Sequence, residues 1–227
     1  MKRLVAAILA AVCLLCGCAE EGGFSVEVLG KDRDFGYFTA AAPAAAEADR
    51  VRAMLQETLA LYPDGFLDQL GTVEVLLTGK LTGIREYEHG SYAGFTQRTG
   101  EGWQMVLDVT ACDAGTIHHE IAHILDGILT DAGVLTEEAW MEYCPEGFVY
   151  GQADWTQYPD FFTDEYAMQN MKEDRARLFE TAVQRGEGAF ADSPALWLKL
   201  NCFAEAIRSH FDTTGWPERT IWELALG

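Results

Sequence analysis

Positive charge is scarce in this chain. Its 227 residues carry 16 Lys and Arg against 36 Asp and Glu, a net charge of −20. Nucleic-acid binding needs a basic surface to neutralise phosphates, so that partner class is not expected. Cysteine is sparse too: past residue 18 only Cys112, Cys144 and Cys202 remain. None of them forms a CxxC metal pattern, and three allow at most one disulfide. Small buried hydrophobes is the simpler reading. Repeats and low-complexity tracts are missing from the body of the chain, which argues against a repeat array. Apolar runs are confined to the start, where Leu4 to Leu15 is too short to span a membrane. A core, by contrast, is well supplied: 49% of residues are hydrophobic, with 12 Phe, 8 Tyr and 6 Trp. One globular domain, or one domain with two lobes, fits this length.

The first residues read as an export signal. Lys2 and Arg3 precede the apolar run, which ends in Leu15-Cys16-Gly17-Cys18. That ending resembles a bacterial lipobox. The resemblance implies a signal peptide over residues 1–17, a lipid on the Cys18 thiol, and a tether over 18–23. It also implies a lipoprotein held outside the cytoplasm on the bacterial cell membrane. The remaining domain would cover 24–227, with lobes of about 24–127 and 128–227.

Periodicity divides that domain. Pro43 opens a helical pattern to about Leu61, with Val51, Leu55 and Leu59 at helical spacing. Phe24 to Leu29, Thr72 to Thr78, Tyr92 to Arg98 and Trp103 to Val109 read as strands. Gly79 to Gly90 reads as loop. A helix is predicted from about Gly115 to Asp126, stopped by Gly127. Thereafter Thr136 to Glu142, Lys172 to Arg185 and Pro194 to Phe211 read as helices, with an irregular aromatic stretch over Tyr143 to Thr163. The expectation is an α+β fold: a mixed lobe, then the central helix, then a mostly helical lobe.

That central helix contains "TIHHEIAHILD", residues 116–126. Positions four apart on a helix are offset by about 40° and one turn, so His119 and His123 can converge on one ion. Glu120, one position on, can reach a metal-bound water without binding the metal. This is the mechanics of HExxH, with Glu120 as general base and Zn2+ as the expected cofactor. Ile117, Ile121, Ile124 and Leu125 would bury the helix. His118 points about 100° away, so a structural or exposed role suits it. Asp126 shares the ligand face but lies a turn too far along. It would either accept a hydrogen bond from a ligand imidazole or sit solvated near the helix end.

Two histidines leave a catalytic zinc one protein ligand short. The acidic pair Glu173 and Asp174 opens the next helix in "DEYAMQNMKEDRARLF", residues 164–179. With "HEIAH" and "WMEYCPEGFVYG" (residues 140–151), this stretch resembles the anthrax lethal factor catalytic domain. It resembles still more the zinc-binding metallopeptidase lipoproteins of bacteria, which are gluzincins. The likeness covers about Thr116 to Phe179. It implies a zincin-like fold and an endopeptidase acting on a peptide or protein. His119, His123 and Glu173 would hold zinc, and Tyr166, seven before Glu173, would donate to the oxyanion. One departure stands out: Arg177 replaces the acidic residue often found four after the ligand. It could pair with Glu173 and compete with the metal, leaving Asp174 as the fallback ligand. The competing readings are a catalytically silent surface binding protein and a solute-binding lipoprotein in which the motif is accidental. Tyr92 to Arg98 would be either a sheet edge that takes up a peptide or an interior strand. Trp155, Tyr158, Phe161 and Phe162 would either line the cleft or fill the core.

Overall fold

The computed structural model describes residues 23–83, 91–100, 102–152 and 154–227. The expected signal, Cys18 and all of the tether but Gly23 lie outside the described residues. The chain runs β1 (Gly23–Val28), β2 (Arg33–Asp34), β3 (Phe38–Ala40), α1 (Ala45–Leu59), β4 (Thr72–Thr78), β5 (Leu81–Gly83), β6 (Ser91–Tyr92), β7 (Gly94–Arg98) and β8 (Trp103–Asp108). It continues with α2 (Ala114–Asp131), α3 (Glu137–Met141), α4 (Met171–Arg185) and α5 (Pro194–His210). The fold is mixed α and β, as the element pattern implies.

Two four-stranded sheets form among the described residues. The first has the order β1-β4-β8-β7, with β1, β4 and β8 parallel and β7 antiparallel at the edge. The second, β2-β3-β5-β6, is antiparallel and made of strands of two or three residues. It corrects the reading of Gly79 to Gly90 as loop throughout, since Leu81–Gly83 pairs on both sides. Alternation along β4 and β8 explains how the sheets stack. Val73, Val75, Leu77, Met105 and Leu107 point into the main core, and Leu76 and Val106 point the other way, against Leu81 and Ala40 of the second sheet. Strands buried on both faces read as continuous apolar runs, as Val75, Leu76 and Leu77 of β4 do.

The main core joins both halves of the chain, from Ala48, Val51 and Leu55 of α1 to Phe203 and Ile207 of α5 and Trp222 near the end. The irregular aromatic stretch builds a satellite cluster instead: Trp155, Tyr158 and Phe161 pack around Phe148 and Phe162. None of these residues lines the cleft described below.

Helix α2 starts with a reciprocal cap. The Asp113 carboxylate accepts from the Thr116 amide at 2.9 Å, and the Thr116 hydroxyl accepts from the Asp113 amide at 3.3 Å. The helix does not stop at Gly127. It continues to Asp131, and the turn that ends it uses Gly133 at φ +69°. Gly127 has another purpose: the Trp103 ring from β8 lies where a Cβ would be. In an open helix Gly→Ala gains about 1 kcal/mol. Here Gly127→Ala is expected to destabilise instead, by overpacking, which urea denaturation would register as a lower midpoint.

Candidate metal centre

Helix α2 carries the two histidines one turn apart, and their Nε2 atoms come within 3.0 Å. The third group comes from the start of α4. Asn170 caps that helix, its side-chain oxygen accepting from the amides of Lys172 at 3.0 Å and Glu173 at 3.1 Å. The cap fixes where the first turn begins and so aims Glu173 at α2. The positive helix end also suits a carboxylate there. Glu173 Oε2 lies 3.1 Å from His119 Nε2 and 3.6 Å from His123 Nε2.

These separations fit a tetrahedral ion. Ligand atoms about 2.0–2.1 Å from zinc stand roughly 3.3 Å from one another. The donor set fits as well. His119 Nδ1 lies 3.2 Å from Glu180 Oε2. A carboxylate only accepts, so Nδ1 donates to Glu180, and with a metal bound the Nε2 lone pair would face inward. His119 Nε2, His123 Nε2 and a carboxylate oxygen crowd one point, a set that could hold a cation. Without a metal, a proton takes that place. Burial alone would pull the His119 imidazolium down, but the hydrogen-bonded Glu173 and Glu180 carboxylates outweigh it and lift the pKa to about 10. Burial pushes Glu173 up, and His119 and His123 bring it down to about 2.

Glu120 is buried at the metal face. Its Oε2 accepts from the Thr96 hydroxyl on β7 at 2.8 Å. Burial raises its pKa, against the pull of His123, His119 and Thr96. Tyr166 stands on a short 3-10 turn, half-exposed, with its ring centroid 6.2 Å from that of His119. Burial of its hydroxyl, with the Glu173 and Glu120 charges nearby, raises its pKa. All five residues line one cleft of about 1090 Å³ between β7, α2 and the start of α4.

Strand β7 presents a free edge to this cleft among the described residues. The Asp108 amide donates to the Ala93 carbonyl at 2.9 Å, and the Thr99 amide to the Gly102 carbonyl at 2.8 Å. Antiparallel pairing alternates, so positions 93, 95, 97 and 99 turn their backbone groups toward β8. Gly94, Thr96 and Arg98 turn theirs outward.

Three expectations need correcting. Asp126 accepts no hydrogen bond from an imidazole. It pairs with Arg175 at 2.5 Å, because that guanidinium is buried on α4 and needs an anion. Asp174 faces away from the histidines into the core. Its Oδ2 accepts from Tyr150 at 2.6 Å, Lys199 at 2.8 Å and Trp140 at 2.9 Å. Arg177 does not engage Glu173 but pairs with Asp164 and Glu180. His118 has the structural role: it is buried and its Nδ1 is hydrogen-bonded to the Tyr62 hydroxyl at 2.8 Å. Burial holds that imidazole neutral, its pKa lowered to about 4. Cys112, Cys144 and Cys202 are all free thiols.

Glu180 is the residue at the candidate site that sequence reasoning missed. It does for His119 what Asp126 was expected to do for a ligand imidazole. The signal was available: Glu180 lies seven after Glu173, two turns along the same face of α4. Removing such a carboxylate typically weakens metal binding 10- to 100-fold. Glu180→Gln is expected to raise the Zn2+ dissociation constant by about that factor in a chelator competition, with the fold retained. No family model, curated protein or solved structure matches this chain.

Proposed function

We propose that this protein is a zinc-dependent endopeptidase of the zincin type, tethered outside the cytoplasm through Cys18. The observation that carries the reading is the convergence of His119 Nε2, His123 Nε2 and Glu173 Oε2, from two separated stretches, within 3.0–3.6 Å of one another. Three protein ligands leave one position for substrate or water, the arrangement of catalytic rather than structural zinc.

Zn2+ bound there supplies Lewis acidity, polarising the scissile carbonyl and acidifying water. His119, His123 and Glu173 would hold it, and Glu180 would fix the tautomer of His119. Glu120 takes a proton from the attacking water and returns it to the leaving amine. Its buried position suits this, since a raised pKa makes a carboxylate a better proton carrier near neutrality. The Tyr166 hydroxyl donates to the oxyanion as charge develops. An extended substrate pairs with the outward backbone groups of Gly94, Thr96 and Arg98. The silent-site alternative loses its main support, because Arg177 is engaged by Asp164 and Glu180 rather than by the proposed ligand.

Elemental analysis tests the metal half of the reading. The purified chain is expected to hold one zinc, and Glu173→Ala to hold well under a tenth of that after dialysis. A peptide-library digest by the zinc-loaded chain tests the other half. Full zinc retention by Glu173→Ala would remove the proposed ligand set, and an undigested library would remove the peptidase.

A further inference from the structure

We propose that Thr96 is a positioning residue for Glu120, tying the general base to the strand that would receive the substrate; this rests on the peptidase reading. A glutamate has three side-chain torsions, so a base on a helix needs something else to aim it. Strand β7 does this from both sides. The Thr96 hydroxyl donates to Glu120 Oε2 at 2.8 Å and approaches the Glu120 carbonyl at 3.3 Å. Two residues earlier, a Cβ on Gly94 would sit 3.1 Å from Glu120 Oε1 and 3.0 Å from the Val106 carbonyl. One oxygen is therefore held by a donor. The other is left room by the missing side chain at position 94, where a Cβ would make a tight contact with it.

The period of the strand puts both features on one face, with Phe95 between them turned to the opposite side against Phe38. Gly94 and Thr96 are also the residues whose backbone groups face the free edge. Substrate pairing and base alignment thus share the same two residues. With Oε2 occupied by the hydroxyl, Oε1 keeps its lone pairs for the proton of the water. The part of Thr96 is confined to geometry; it touches neither the metal ligands nor the proton in transit.

The test compares Thr96→Val, Thr96→Ser and Gly94→Ala with the wild type in the full chain. Valine is nearly isosteric and favoured in strands, so the fold is expected to hold. For Thr96→Val, kcat on a peptide cleaved by the wild type should fall about 10- to 100-fold, with KM within about twofold and zinc content unchanged. Thr96→Ser restores the donor and should stay within about threefold of wild type. Gly94→Ala should lower kcat like valine at 96. Crystal structures give a second readout independent of turnover. Glu120 should rotate off its wild-type position in Thr96→Val and return in Thr96→Ser. Wild-type kcat in Thr96→Val, or an unmoved Glu120 carboxylate, overturns the proposal. If wild-type protein cleaves nothing in a Glu120-dependent way, the peptidase reading falls. The crystallographic comparison then still decides whether Thr96 aims the carboxylate.

Discussion

Glu120→Gln should lower peptide hydrolysis by about 10²- to 10⁴-fold, the range a general base contributes, with zinc content unchanged. The amide matches the carboxylate in shape but cannot take up a proton. It leaves His119, His123 and Glu173 untouched, so the metal should remain. Its carbonyl oxygen can still accept from Thr96, which keeps the side chain in place. Stability should not suffer either. The wild-type carboxylate is buried, and burial raises its pKa, which means the charged form is disfavoured there. The amide keeps the volume and the Thr96 contact, so the melting temperature is expected to hold. Cleavage, bound zinc and thermal melting measured on one preparation separate the base from the scaffold. Equal digestion of a peptide library by both proteins would end the peptidase reading.

A still larger effect on folding is expected one residue past the proposed ligand. Asp174 and Lys199 are both fully buried, 2.8 Å apart. Tyr150 and Trp140 share the same carboxylate oxygen, and the Lys199 ammonium also donates to the Phe161 carbonyl at 2.8 Å and lies 3.9 Å from the Phe162 ring centroid. This hub fastens α3, the irregular stretch, α4 and α5 to one another. Asp174→Ala strands an ammonium in a dry pocket, which typically costs about 3–5 kcal/mol. For a domain of this size the melting temperature should fall by roughly 6–20 °C. Adding Lys199→Met should recover part of the loss, since apolar replacement of a whole buried pair is often close to neutral. Glu173→Ala, its immediate neighbour, should show the opposite pattern: zinc lost, hub intact. A folded Asp174→Ala protein without zinc would exchange the two roles and sink the present ligand assignment.

The parts of this molecule that were legible in the sequence are those decided within a few residues. His119 and His123 meet because a helix turns once in about four residues, and no distant contact is needed for that. The start of α4 was legible for a similar reason, since the acidic pair Glu173 and Asp174 marks a helix beginning. What escaped depends on partners far along the chain. Gly127 looks like a stop until the Trp103 ring is seen beside it. Asp126 and Glu180 carry similar groups, and only the arrival of Arg175 at the first leaves the second for His119. Asp174 was a plausible ligand because nothing local announces that Lys199 would be buried under α4. The second sheet was missed because strands of two or three residues are too short to show a period.

Under the proposed peptidase reading, the outward-facing amides and carbonyls of β7 have a consequence for selectivity. Contacts of that kind discriminate by shape rather than by sequence: any stretch able to lie straight satisfies them. A segment already wound into a helix or woven into a sheet has the same groups engaged elsewhere. Compact targets would therefore resist attack until they unravel locally, and susceptibility would follow the opening equilibrium of the victim more than the identity of its side chains.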